Sequence, residues 1–174
     1  MITLETDRLI LRMLRESDLD AYADMCGDPE VMRYIGDGQP LPRPMAWRRM
    51  AMMVGHWTLR GYGLWAAVER SSDELVGHIG FWNPEGWPGF ELGWSLRRSF
   101  WGRGYATEGA RVALRFAFTQ LKQPQVISLI HPENSASIRV AERLGERFSG
   151  STELMGKPAL IYRITQEEWQ TLRR

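Results

Sequence analysis

Cysteine and histidine are scarce in this sequence, and neither sign of charge predominates. Cys26 is the only cysteine among 174 residues, which excludes an intrachain disulfide and a cysteine-based metal site. The three histidines lie far apart and lack the spacing of metal ligands, so we expect no bound metal. The formal net charge of +1 gives no field that would steer nucleic acid or an anionic membrane, so neither is expected as a partner.

Long apolar runs and targeting signals are also missing. No stretch approaches the length that spans a bilayer, and the N-terminus lacks the basic-then-apolar pattern of a secretion signal. We therefore expect a cytoplasmic protein. The chain contains 44% apolar and 25% charged residues, without repeats or an evident linker. This composition predicts one globular domain over residues 1–174.

The hydrophobic pattern changes its period along the chain, which locates the main elements. Apolar runs bounded by turn residues predict strands, and apolar residues recurring every three or four positions predict helices. In chain order, the pattern predicts strands at 9–14, 64–68, 75–82 and 90–96, a helix at 106–121, a strand at 126–130, a helix at 134–144, and strands at 147–154 and 159–164. Near the start, Ser17 has the residue type of a helix N-cap. The order predicts an α+β fold with a mixed, mostly antiparallel sheet and flanking helices.

One junction between a strand and a helix has the character of a phosphate site. The strand at 90–96 is followed by a glycine-containing turn and the long helix, with the sequence Trp101-Gly102-Arg103-Gly104-Tyr105-Ala106-Thr107. Glycines let backbone N–H groups approach an anion, and a helix N-terminus supplies unpaired donors and a positive dipole end. A dinucleotide fingerprint is excluded because Thr107 stands where its third glycine would be. An ordinary strand-to-helix turn remains the competing interpretation.

Several motifs in a fixed order resemble the GNAT superfamily of acyl-coenzyme-A-dependent N-acyltransferases, and most closely its ribosomal-protein N-terminal acetyltransferase-like branch. The resemblance covers almost the whole chain. Its motifs are Thr6-Asp7-Arg8-Leu9-Ile10-Leu11-Arg12, Asp28-Pro29-Glu30-Val31-Met32, Glu91-Leu92-Gly93-Trp94, the turn from Trp101 to Glu108, Asn134-Ser135-Ala136-Ser137, Leu144-Gly145, and Tyr162-Arg163-Ile164-Thr165 to Trp169.

The resemblance implies a sheet that splays open between its fourth and fifth strands and holds acetyl-CoA as a co-substrate. The pantetheine arm would pair with backbone near Trp94, Ser95 and Leu96, and the pyrophosphate would bind amides from about Gly102 to Thr107. Asn134 would hold the pantetheine while also capping its helix, or would serve as a cap alone. Many relatives have Gln or Arg where this chain has Trp101, so Arg97, Arg98 or Arg103 would supply the positive charge.

The reaction implied is direct attack by a substrate amine on the thioester. A lysine-type amine, with a pKa of about 10.4, is almost fully protonated at pH 7, so a base must take its proton. Glu91 is the candidate, acting through water; the alternative is a solvent-facing Glu paired with an Arg. Because little free amine exists at low pH, loss of this base should lower the rate most there.

The leaving thiolate needs a proton donor, although a thiol pKa of about 8.5 makes the donor helpful rather than essential. The tyrosine that many relatives use is absent, because this chain has no Tyr between 106 and 161. Ser137 is the candidate substitute; the alternative is a helix residue that bonds back to its own backbone.

The acceptor pocket is placed by the resemblance beside Trp82 and Trp87. The acceptor itself is open between a protein N-terminus and a small-molecule amine, and a homodimer is possible. Two other functions compete with acetyl transfer: a catalytically silent acyl-CoA-binding or regulatory module on the same fold, and an oligomeric interaction protein that uses its tryptophans.

Overall fold

The structure is a computed structural model and describes residues 2–172. The strands are β1 (Leu4–Glu5), β2 (Leu9–Arg12), β3 (Leu64–Glu69), β4 (Leu75–Trp82), β5 (Glu91–Leu96), β6 (Gln125–Ile130), β7 (Arg147–Leu154) and β8 (Lys157–Thr165). The helices are α1 (Leu19–Gly27), α2 (Pro29–Met32), α3 (Arg43–Arg60), α4 (Tyr105–Thr119), α5 (Ser135–Leu144) and α6 (Gln166–Thr171). No helix within the described range is both long and apolar enough to cross a bilayer.

One sheet contains all eight strands in the order β1-β2-β3-β4-β5-β6-β8-β7. Every neighbouring pair is antiparallel except β5 and β6, which run parallel and share only the register pair Glu91 with Ile127. The two strands therefore separate beyond Glu91. This confirms the α+β fold and the opening expected between the fourth and fifth predicted strands, which are β5 and β6 once the unpredicted β1 is counted.

The sheet is covered on both faces, and each face follows from a helical pattern in the sequence. On one face α4 buries its small-residue stripe of Ala110, Ala113 and Ala117, each 0% exposed. On the other face α1 and α3 cover β3 and β4, with Met50 and Met53 of α3 buried there. A fully buried large apolar side chain contributes about 1.5–3 kcal/mol, so both layers hold the sheet in place.

The start of α1 differs from the sequence prediction. Ser17 does not cap the helix: a 3-10 turn, Glu16–Asp18, precedes it, and Asp18 stands at the N-cap without a side-chain cap bond. The Asp18 carboxylate instead accepts hydrogen bonds from the guanidinium of Arg12 at 2.7 and 2.8 Å and from the N–H of Arg15. The Asp18 carboxylate thus forms a buried ion pair with β2 and no helix cap. Residue preferences near a helix start do not predict such a contact between two elements.

Candidate active site

The opening in the sheet exposes the backbone edge of β5. The N–H of Ile127 donates to the C=O of Phe90 at 3.0 Å, so the even-numbered residues of β5 direct their backbone groups toward β6. Beyond Glu91 the two strands share no further register pair among the described residues. Trp94 and Leu96 therefore present backbone groups to the opening, whereas Ser95 pairs with His78 of β4. The C=O of Leu96 already accepts a hydrogen bond from the indole of Trp101 at 2.9 Å.

The turn between β5 and α4 brings two glycines into the left-handed region. Gly102 has φ +74° and Gly104 has φ +83°, conformations that other residues rarely adopt. Gly104 is the N-cap of α4 and provides no side-chain cap, while its C=O accepts the N–H of Glu108. The backbone N–H groups of Tyr105, Ala106 and Thr107 at the first turn of α4 have no intrahelical acceptor. The local geometry thus fits a phosphate held by main chain.

Arg8, which lies between β1 and β2, stabilises this turn through side-chain contacts. Its Nη1 donates to the C=O of Arg103 at 2.9 Å, and its Nε donates to Oε2 of Glu108 at 2.7 Å. Its guanidinium also lies 4.4 Å from the ring centroid of Tyr105. The hydroxyl of Thr6 donates to Glu108 as well, at 2.6 Å. The N-terminal motif of the resemblance therefore contains two residues, Thr6 and Arg8, that fix the start of α4 through hydrogen bonds.

The three arginines near the turn have different surroundings. Arg98 forms an ion pair with Asp28 at 3.1 Å, and Arg97 donates to the C=O of Leu75 at 3.2 Å. The guanidinium of Arg103 lies 5.3 Å from the ring centroid of Phe100. Arg97 and Arg98 line an open groove of about 360 Å³ beside the end of β5. Asp24 and Asp28 line the same groove, so Arg97, which donates to a carbonyl and forms no ion pair among the described residues, is the cation there that a carboxylate does not neutralise.

The structure brings Glu91 together with both tryptophans predicted for the acceptor pocket. Glu91 is the direct cross-strand partner of Trp82, which places their side chains on the same face of the sheet. The indole N–H of Trp87 donates to Oε2 of Glu91 at 2.7 Å. The partner of Glu91 is therefore a tryptophan, and the predicted alternative, an exposed Glu paired with an Arg, does not describe this geometry.

The environment of Glu91 favours a carboxyl that titrates near neutrality. Burial raises the pKa of Glu91 to about 7, although hydrogen bonds from the Trp87 indole and from the backbone of Leu129 act in the opposite direction. Desolvation dominates because neighbouring residues shield the carboxylate from most of the surrounding water, and no cation among the described residues offsets this effect. A base with such a pKa is suited to accept a proton at neutral pH.

His56 holds the acceptor side together, and sequence reasoning did not identify it. Its Nε2 accepts the N–H of Asn83 at 3.2 Å, so its Nδ1 carries the hydrogen and donates to the C=O of Tyr62 at 2.9 Å. The ring stacks on Trp82 with centroids 4.6 Å apart. Burial lowers the pKa of His56, which keeps the ring neutral as both bonds require. A histidine on α3 thus fixes the loop that follows β4.

Across the opening, Ser137 and Trp94 are in contact. The indole N–H of Trp94 donates to the Ser137 hydroxyl oxygen at 3.3 Å, which leaves the hydroxyl hydrogen to donate elsewhere. Asn134 is the N-cap of α5, and its amide oxygen accepts the N–H of Ser137 at 3.1 Å. The capping interpretation of Asn134 is confirmed, and its NH₂ group is the part that remains to bind a ligand.

Two other chemistries are not favoured by the described residues. Cys26 is 1% exposed, and burial raises the pKa of its thiol, which disfavours a nucleophilic thiolate. Within residues 2–172 no three His, Cys, Asp or Glu side chains gather in a group that would hold a metal ion.

Comparison with known proteins gives consistent relatives. The family described as "Acetyltransferase (GNAT) domain" matches residues 8–147. YkkB of Bacillus subtilis (strain 168), an uncharacterized protein, is 32% identical over 91% of this chain and 93% of its own. An FsC-acetyl coenzyme A-N(2)-transacetylase of Aspergillus fumigatus is 29% identical over 96% of this chain and 77% of its own.

The solved structures agree with this result. An acetyltransferase from Agrobacterium tumefaciens superimposes with a TM-score of 0.83 at 33% identity, over 94% of both chains. A ribosomal-protein-S5-alanine acetyltransferase from Vibrio fischeri shares the fold, with a TM-score of 0.75 at 16% identity over 97% of this chain and 99% of its own. Because the family match covers most of the chain, the protein belongs to the GNAT acetyltransferases and is an acetyl-CoA-dependent N-acetyltransferase.

Proposed function

We propose that this enzyme transfers the acetyl group of acetyl-CoA directly to a primary amine, with Glu91 as the base. The observation that carries the proposal is the geometry around Glu91, whose carboxyl bonds to Trp87, faces Trp82 and stands where β5 and β6 part. An amine in contact with this face would be next to a carboxyl whose pKa burial raises to about 7.

The coenzyme would be held mainly by backbone. The turn at Gly102 and Gly104 and the first N–H groups of α4 form the pyrophosphate site, and the edge of β5 at Trp94 and Leu96 pairs with the pantetheine. Arg97 supplies positive charge along the adjoining groove. Asn134 contributes its NH₂ group from the start of α5.

In the reaction the amine nitrogen forms a bond to the thioester carbon and the carbon–sulfur bond breaks. Glu91 accepts the amine proton, directly or through water, and Ser137 donates its hydroxyl proton to the leaving thiolate and regains one from water. The contact of Ser137 with the Trp94 indole orients the hydroxyl for this donation. No covalent enzyme intermediate is required.

The pKa of Glu91 reverses the pH dependence expected from the amine alone. Below pH 7 the Glu91 carboxyl is itself protonated and accepts no proton, so its removal changes little there. Above pH 7 it is ionised, and its removal should have the greatest effect. The loss on substitution is therefore expected at neutral to alkaline pH.

The acceptor is a primary amine with an apolar or aromatic neighbouring group, because two tryptophans flank Glu91. The test measures release of free coenzyme thiol with acetyl-CoA and three acceptor sets: aryl-alkyl amines, peptides with free N-termini, and aminoglycosides. Acetyl-CoA should also raise the melting temperature, since a ligand of the folded state stabilises it by mass action. Stabilisation without thiol release beyond hydrolysis for any acceptor would contradict the proposal and favour a silent binding module.

A further inference from the structure

A second buried carboxyl, Glu146, lies at the same opening as Glu91. It follows the C-cap Gly145 of α5 and is only 2% exposed. Its Oε1 lies 3.1 Å from the hydroxyl oxygen of Ser128 on β6, and its Oε2 has no hydrogen-bond partner among residues 2–172. None of the roles above uses this residue.

Hydrogen counting leaves two arrangements for the proton in this contact. The Ser128 oxygen also lies 2.9 Å from the C=O of Leu92 on β5. A hydroxyl has one hydrogen, and a backbone carbonyl only accepts, so Ser128 donates to one of its two neighbours. If it donates to Leu92, then Glu146 must be the donor to Ser128 and must carry a proton. An ionised Glu146 would leave Leu92 without this donor and would keep an unpaired, buried, charged Oε2, which is unfavourable.

The same contact explains where the ladder between β5 and β6 stops. A continued parallel ladder would join the N–H of Leu129 to the C=O of Leu92. The register instead ends at Glu91 and Ile127. The Ser128 hydroxyl contacts the Leu92 carbonyl, and the Leu129 backbone is near enough to the Glu91 carboxyl to lower its pKa. The two backbone groups separated by the opening thus have side-chain partners, one of which is the proposed base.

We propose that Glu146 works as a neutral hydrogen-bond donor to Ser128, and that this pair holds the sheet open at Leu92 and so reserves the Leu129 N–H for Glu91. Glu146 is a positioning residue for Glu91 in this scheme, which rests on the proposed function. Its ionisation would draw the Ser128 hydrogen away from Leu92, release the Leu129 N–H to the ladder and place a like charge near Glu91.

The charged surroundings are consistent with a neutral Glu146. Burial raises the pKa of Glu146 to about 8; its bond with Ser128 opposes this shift, and the charge of Glu91 reinforces it. Tyr162 of β8 is the cross-strand partner of Ser128 and the titratable group on that strand nearest the pair. The charged side chains of the neighbouring α4 and α5 that point to solvent are Arg111, Arg115, Arg139, Glu142 and Arg143. Arg147 follows Glu146 in the chain and pairs with Arg163 of β8, but among the described residues no cation contributes to the pKa shift of Glu146.

The first test needs neither acceptor nor coenzyme. Infrared spectra of the Glu91→Gln variant should show the carbonyl band of a protonated, buried carboxylic acid at pH 7, lost at a lower pH than in wild type because the charge of Glu91 no longer raises the pKa of Glu146. Absence of this band near pH 7 would overturn the proposal.

The melting temperature gives a second measurement. In wild type it should fall as the pH rises from about 5 to about 8, because a carboxyl whose pKa is raised in the folded state stabilises the fold less as the pH approaches that pKa. The melting temperature of Glu146→Gln should fall less over this range, whereas that of Glu142→Gln, a change at an exposed position of α5, should fall as in wild type.

The second test concerns the rate. An amide at 146 still donates to Ser128 but does not ionise, so the ratio of kcat/KM for Glu146→Gln to wild type should rise several-fold as the pH passes through about 8. The ratio cancels ionisation of the amine acceptor. A flat or falling ratio would show that Glu146 acts as an anion or as packing only. If no acceptor turns over, the proposed acetyl transfer fails, and the infrared and melting measurements still decide the state of Glu146.

Discussion

The proposed coenzyme side of the candidate site is built from main chain, whereas the proposed acceptor side is built from side chains. On the coenzyme side, Gly102 and Gly104 adopt positive φ and the first N–H groups of α4 face the turn. On the acceptor side, Trp82, Trp87 and Glu91 converge from β4, β5 and the loop between them. Backbone donors tolerate changes of side chain, but a side-chain site does not. Substitutions at the acceptor side should therefore affect chemistry, and those at the turn should affect binding.

The largest effect is expected at Glu91. Glu91→Gln keeps the bond from Trp87 but removes the base, so kcat/KM should fall about 10²-fold or more above pH 7, with a smaller loss below. The limb of the wild-type pH profile that rises through about pH 7 should disappear. Coenzyme affinity, measured by calorimetry, should stay within about twofold of wild type, because this side contributes chemistry rather than coenzyme contacts.

The matched control for Glu91 is Glu85→Gln, an exposed carboxylate in the same β4–β5 loop that pairs with Arg60 at 3.6 Å. It should change neither rate nor pH profile. A Glu91→Gln profile that retains the limb near pH 7 would remove Glu91 from the mechanism.

A substitution in the turn should weaken acetyl-CoA binding more than it slows the chemical step. Gly104→Val places a β-branched residue at φ +83°, a conformation that strains the turn, although its Cβ would meet the Arg8 guanidinium at an ordinary contact distance of 3.5 Å. Strain of about 1–3 kcal/mol corresponds to about a 5- to 150-fold loss of acetyl-CoA affinity if it is relieved by moving the backbone donors. Turnover at saturating acetyl-CoA should fall less than affinity.

Gly61→Val separates this effect from general strain. Gly61 also has a positive φ, +74°, with open space around it, but it ends α3 away from the turn. It should lower the melting temperature to a similar extent and leave the coenzyme dissociation constant unchanged. Equal affinity losses in both variants would show that the turn has no special part in coenzyme binding.

Ser137 lies between the two sides, and its effect should be smaller. Ser137→Ala removes the proposed proton donor and the acceptor of the Trp94 indole, but a thiolate is already a fair leaving group. We expect turnover to fall about tenfold, at or below the low end for a positioned acid, with little change in affinity for free coenzyme. Ser135→Ala, on the exposed side of the same helix, is the control. Equal rates for the two variants would make water the proton source.

The sequence predicted the local geometry of the turn better than the side-chain contacts around Glu91, for a physical reason. The turn depends on local features, namely glycines, a strand end and a helix start, which adjacent residues encode. The cap at Asn134 was predicted for the same reason, and it is present. The acceptor side depends on contacts between residues distant in sequence, such as His56 with Trp82. Glu146 was missed because a carboxyl after a helix C-cap reads as surface until its burial is seen.

The smallest effect is expected at Trp87, and it measures how much the Trp87 indole lowers the pKa of Glu91. Trp87→Phe keeps an aromatic ring in the pocket but removes the N–H that donates to Glu91 at 2.7 Å. This bond lowers the pKa of Glu91, so its loss should move the rising limb of kcat/KM to higher pH. A hydrogen bond to a charged group contributes about 1.5–3 kcal/mol, and water reaching the partly exposed Glu91 replaces part of it, so we expect a shift of about one pH unit or less. At pH 7 the value of kcat/KM should therefore be a few-fold below that of wild type. It should return to the wild-type value above about pH 8, where Glu91 is ionised again. Trp47→Phe, which removes an exposed indole that donates to Glu16, is the control and should leave the limb in place. A limb that moves to lower pH, or a loss that persists at alkaline pH, would mean that Trp87 acts by shaping the pocket and not through the ionisation of Glu91.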